Sequence, residues 1–121
     1  MRAGPPEGAG RWQTAPMARY PSTIMVSCVV PWDEREEIDR ARFDVQVRAA
    51  IAAGYRHLYV FGTAGEGYAV DTRRFVEVVE AFRDATAGPD LAPMVGVIAL
   101  STAAVIERIR LAHEQIGRAH V

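Results

Sequence analysis

Six consecutive residues, Gly62-Thr63-Ala64-Gly65-Glu66-Gly67, carry types that let a backbone close around an anion. Glycines admit a ligand close to main-chain N–H groups, and Thr63 adds a hydroxyl. A phosphate or dinucleotide cradle calls for G-x-G-x-x-G, whereas the order here is G-x-x-G-x-G. Glu66 also sets a negative charge inside such a cradle, which a phosphate would resist. A carboxylate-binding loop tolerates this better if Glu66 turns away and braces the loop. A tight strand-to-helix turn with no ligand fits the pattern as well, and the residues alone leave all three readings open.

Other reactive types are scattered. Cys28 lies inside an apolar run and reads as a buried, inert thiol. His57 opens an apolar run, His113 falls on a helical pattern, and His120 sits next to the last residue. No two of them have metal-ligand spacing with a third partner, so no metal site is expected. Glu34, Glu36 and Glu37 read as a solvated loop, and Tyr68 stands either at a pocket mouth or in packing. All 14 basic residues are arginine and none is lysine. Chemistry that needs a lysine amine, such as imine formation or a P-loop, cannot be completed by these residues alone.

The elements around the loop repeat one pattern. Thr23–Val30 is a short, nearly all-apolar run closed by Pro31, as a strand buried on both faces would be. Asp39 is a plausible N-cap for a helix with Phe43, Val47 and Ile51 on one stripe, stopped by Gly54. His57–Phe61 is a second strand, ending at Gly62. Asp71 or Thr72 caps a helix that turns Phe75, Val78, Val79 and Phe82 inward, and Gly88-Pro89 breaks it. Pro93–Ala99 is a third strand, followed by a helix opened by Ser101 or Thr102 with Val105, Ile109 and Ala112 on its stripe. The pitch of about 33 to 37 residues is that of a βαβ unit, and the alternation predicts a parallel sheet with helices on it. Ligands of such folds gather at the carboxyl ends of the strands, where the Gly62–Gly67 loop stands.

Composition narrows the function classes. With 50% hydrophobic and 24% charged residues the chain reads as a globular protein. A formal net charge of −1 supplies no basic footprint, so no nucleic acid partner is expected. No apolar run is long enough to span a membrane. A single cysteine points to a reducing, cytoplasmic setting. Residues 1–22, rich in Gly and Pro, read as a disordered lead-in, with Met17 as an alternative start. Three units cannot close a barrel of eight, and a doubly wound sheet usually has five strands. The expectation is therefore an incomplete α/β domain over residues 23–115. Residues 116–121 resemble the translation of a sequencing-adapter read, the alternative being a helix end with Gly117 beyond it.

Gly62-Thr63-Ala64-Gly65-Glu66 is similar to the G-T-T-G-E signature of the dihydrodipicolinate synthase and N-acetylneuraminate lyase family. Val29-Val30-Pro31-Trp32 resembles that family's first-strand ending, usually Thr-Pro-Phe. Ile38-Asp39 stands where its first helix begins, Gly54 where it ends, and Met94-Val95-Gly96-Val97 resembles its third strand. The resemblance implies the first three βα units of a (β/α)8 TIM barrel. It also implies a class I aldolase or lyase acting on pyruvate or a related 2-oxo acid, without a cofactor, in a homo-oligomeric parent. Within it, Thr63 takes the proton-relay position and Ala64 the substrate-carboxylate position, with Gly62 and Gly65 forming the binding loop and Glu66 bracing it. The imine lysine and its tyrosine partner, expected on later strands, have no counterpart in this chain, which should be inactive alone. Ala64 keeps the backbone N–H but lacks the family's hydroxyl, and Val30 and Trp32 also depart from the pattern, which suggests a divergent branch. The alternative is a small flavodoxin-like module that binds an anion on the same loop without catalysis.

Overall fold

The structure is a computed structural model that describes residues 19–116. The expected lead-in before residue 19, the alternative start at Met17, the adapter-like tail from Gly117 and His120 lie outside the described residues. Three strands and three helices alternate: β1 (Met25–Cys28), α1 (Arg40–Ala52), β2 (His57–Val60), α2 (Thr72–Ala85), β3 (Ala92–Val95) and α3 (Thr102–Ile116). A short 3-10 turn, Gly67–Ala69, lies between β2 and α2.

Each helix starts where a side chain satisfies an otherwise orphaned N–H. Asp39 accepts from the Arg42 N–H at 3.1 Å, Asp71 from the Arg74 N–H at 2.8 Å, and the Ser101 hydroxyl from the Ala104 N–H at 3.2 Å. Of the paired expectations, Asp71 and Ser101 are therefore the caps. Gly54, at φ 100°, turns the chain after α1 and donates to the Ile51 carbonyl. α2 stops at Ala85, earlier than Gly88-Pro89, because the buried Thr86 turns its hydroxyl back onto the Phe82 carbonyl at 2.7 Å.

The sheet is parallel in the order β1-β2-β3. Register aligns Val26, Leu58 and Pro93, then Cys28, Val60 and Val95, on one face. That face packs with Phe43 and Val47 of α1, Phe75, Val78, Val79 and Phe82 of α2, and Ala112 of α3 in a single core. Phe82 meets Phe43 at 6.3 Å between ring centroids, so α2 joins its neighbours. The other face carries Met25, Ser27, Tyr59 and Met94 and has no helix over it among the described residues. A doubly wound sheet would reverse its strand order and cover both faces, and neither occurs among the described residues.

Two expectations about the strands need correction. The Thr23–Val30 run is not buried on both faces: Cys28 and Val30 point into the core, while Ile24 is 67% and Val29 47% exposed. A parallel strand is apolar on both sides for two coverings, and the described residues supply one. The strands are also shorter than their apolar runs, at four residues each. The chain leaves the ladder at Phe61, which adopts φ 66°, and the neighbours lose their pairing partner there.

Truncation of Phe82, fully buried between α1 and α2, is expected to cost about 3–5 kcal/mol as Phe82→Ala. Val45→Ala, at an exposed site on α1, should cost less than about 0.5 kcal/mol. Urea denaturation of the two variants would show equal losses if the helices were not packed as described.

Candidate functional site

The Gly62–Gly67 loop leaves the carboxyl end of β2 through the bend at Phe61. A bulky residue in the left-handed region is uncommon and costs about 1–3 kcal/mol. Packing holds it there. The Phe61 ring is fully buried and stacks on Phe75 at 5.4 Å with 15° between planes. Its carbonyl is crowded so closely that a Cβ at Gly96 would lie 2.1 Å from the oxygen, and one at Gly67 2.8 Å from it. Only glycine fits at these two positions.

Within the loop the Gly65 N–H donates to the Gly62 carbonyl at 3.1 Å and the Glu66 N–H to the Thr63 carbonyl at 3.2 Å. Two overlapping turns thus spend the later donors on the loop itself. The N–H groups of Thr63 and Ala64, at the head of the turns, have no acceptor among the described residues. Both residues are exposed, whereas Gly62, Gly65 and Gly67 are buried. Glu66 adopts φ 57°, and its carbonyl accepts from the Ala69 N–H at 2.9 Å. Its exposed carboxylate has no hydrogen-bond partner among the described residues.

The Glu66 side chain borders a cleft of about 360 Å³ with Trp32, Glu36, Ala69, Val70, Asp71 and Arg74. Thr63 and Ala64 do not line it. Nor does Tyr68, which is 48% exposed. The cleft's far wall is the β1–α1 loop, where Glu34 and Glu36 are exposed as expected and Glu37 is half-buried. Trp32 pairs with Ile38, and Glu36 turns the hairpin at φ 59°. Arg73 grips both oxygens of Glu37 at 2.6 and 3.0 Å, and the Arg74 Nε donates to the Glu36 carbonyl at 2.7 Å. These bonds fasten the β1–α1 connection to the first turn of α2.

One residue that the sequence pattern did not single out ties the loop down. Arg108 of α3 is 8% exposed and donates to the carbonyls of Gly67 at 2.5 Å, Ile98 at 2.7 Å and Val70. Its guanidinium also lies 5.2 Å from the Phe75 ring centroid. Burial pushes its pKa down, opposed by the nearby charge of Glu107. The signal was present: Arg108 stands three residues after Val105 and four before Ala112, on the apolar stripe. The remaining candidates lie elsewhere. Cys28 is buried and its thiol pKa is raised by desolvation. His57 is at the opposite end of β2, with Nδ1 2.5 Å from the Tyr20 hydroxyl, and His113 is exposed in the last turn of α3.

The model of the dihydrodipicolinate synthetase family matches residues 20–115. This chain belongs to that family. Solved structures agree in fold. A dihydrodipicolinate synthetase from Pseudomonas aeruginosa superposes with a TM-score of 0.72 at 21% identity, covering 78% of this chain and 32% of its own. N-acetylneuraminate lyase from Fusobacterium nucleatum gives 0.69 at 20% identity, covering 76% and 32%. A prophage protein of the dihydrodipicolinic acid synthase family from E. coli K12, solved in complex with pyruvate, gives 0.70 at 14% identity, covering 75% and 30%. The chain thus spans about a third of the relatives it matches. No curated protein matches it. No helix among the described residues is long and apolar enough to cross a membrane.

The fastening of the β1–α1 loop depends on ionised carboxylates. Asp33 is held below the usual carboxyl range by the N–H groups of Glu37 and Arg35, Glu37 by Arg73, and Asp71 by the Arg74 N–H. Groups with depressed folded pKa values contribute stability above their unfolded pKa and lose it as pH falls through the folded value. The melting temperature should therefore hold between about pH 5 and 7 and decline below about pH 4. Glu37→Gln should flatten part of that decline, and an unchanged acid limb in a thermal melt would count against the clamp.

Proposed function

We propose that this chain is the amino-terminal part of a Schiff-base aldolase or lyase, three βα units of a (β/α)8 barrel. In this reading its loop holds the carboxylate of pyruvate or a related 2-oxo acid. The observation that carries it is the pair of adjacent, unpartnered N–H groups on Thr63 and Ala64 at the carboxyl end of β2. Two neighbouring donors match the two oxygens of a carboxylate, and charge-assisted hydrogen bonds are the stronger kind. The complex of the prophage relative with pyruvate is consistent with this substrate class.

The reaction needs an amine to attack the keto carbon and expel water, leaving an imine that takes up the electron pair of a breaking bond to become an enamine, or as the enamine supplies the pair of a forming one. No lysine exists in these 121 residues, so that amine belongs to sequence outside them. Thr63, exposed beside the open amides, would pass a proton to or from the reacting oxygen through its hydroxyl. Ala64 would bind through its amide alone. A 2-oxo acid on this loop would therefore be held with one donor fewer than in the family pattern. Assembly of the parent into a homo-oligomer belongs to the same reading.

Extending the reading frame past the codon for Gln115 and expressing the parent tests the proposal directly. Pyruvate with borohydride should then fix one pyruvate-derived mass on a single lysine. Ala64→Thr in that parent should tighten pyruvate binding by about 1.5–3 kcal/mol, the worth of a hydrogen bond to a charged group. Thr63→Val should lower kcat about 10²-fold or more while leaving the adduct detectable. A parent with no trapped adduct would sink the reading.

A further inference from the structure

We infer that Arg108 is the positioning residue of the carboxylate loop, holding the Thr63 and Ala64 amides in binding geometry from beneath. The inference rests on the carboxylate reading above and adds to it a residue on another element. Arg108 lies on α3, yet its three acceptors belong to two loops: Gly67 and Val70 follow the open amides, and Ile98 follows β3. Through Phe75 the same guanidinium reaches the bend that begins the loop, because Phe75 carries the Phe61 ring on its other side of the stack. Both ends of the Phe61–Val70 segment are therefore fixed by one side chain.

The type of residue matters. Gly67 and Val70 are buried, and buried carbonyls without donors are costly. A planar guanidinium offers five N–H groups in a fixed fork, so it can serve three carbonyls that diverge. An ammonium of similar reach is a compact point donor on a flexible stem and cannot hold three fixed directions at once. Among the described residues no carboxylate forms an ion pair with Arg108, so its bonds are all spent on the two loops. Released from Arg108, Gly67 would keep only the 3.5 Å bond from its N–H to the Gly62 carbonyl to close the loop's far end.

The test uses the extended parent with pyruvate as probe, read by the backbone amide shifts of Thr63 and Ala64. Arg108→Met should weaken pyruvate binding about 10-fold or more, and Arg108→Lys about threefold or more. Amide exchange at Gly65–Gly67 should quicken in both. Val47→Ala, a core truncation on α1, serves as a control for lost stability and should leave the pyruvate affinity of the folded parent unchanged. Equal affinity in wild type and Arg108→Met overturns the inference alone, as does equal weakening by Val47→Ala. If Arg108→Met does not fold, Arg108→Lys decides, and unchanged affinity there overturns it. A wild-type parent whose Thr63 and Ala64 amides do not respond to pyruvate defeats the carboxylate reading itself, and the inference falls with it.

Discussion

The bend at Phe61 is the constraint from which the site follows. It takes the chain off the sheet, ends the pairing of both neighbouring strands and turns the following amides outward. Nothing local favours it, since the residue is large and aromatic and its φ of 66° suits glycine. What holds it is tertiary: a ring stacked on Phe75 within the core, and a carbonyl that leaves no room for a side chain at Gly67 or Gly96. Those two glycines are spent on a neighbour's oxygen rather than on turns of their own.

Around that bend, arginines divide into two kinds of work. Arg73 and Arg74 are partly exposed and grip carboxylates and a carbonyl of the β1–α1 loop, bonds that solvent screens and acid weakens. Arg108 is buried and grips carbonyls only, which do not titrate. The outer fastening therefore depends on pH in a way that the inner one does not. Both act on the connections at the carboxyl ends of the strands, where the open amides stand.

Much of this was legible in the sequence because helix and strand periodicities are local. The stripes Phe43–Val47 and Phe75–Val78–Val79–Phe82 lie in the core as their spacing requires, and Asp39 caps as its position suggests. The family signature located the loop. What the pattern could not give was anything decided by distant partners. The apolar run at Thr23–Val30 does not say which of its faces has a covering. The run at Glu34–Glu37 is solvated at Glu34 and Glu36 as it looks, but it does not say that Arg73 and Arg74, more than thirty residues on, take hold of Glu37. Nor does the pattern show that Glu66 takes a left-handed backbone whose carbonyl accepts from the Ala69 N–H. Arg108 was hidden because a charge on an apolar stripe has no meaning until its acceptors are known.

At Phe61 the demands of torsion and of packing are opposed in one residue. Glycine there would relax the backbone and empty the stack, whereas the aromatic ring fills the stack and strains the backbone. The amide pair at Thr63 and Ala64 can therefore be aligned only while α2 is docked and Phe75 is in place. Ligand affinity and helix docking are then two readings of one equilibrium. By thermodynamic linkage, any anion that the loop accepts must also stabilise the fold, in proportion to how tightly it is held.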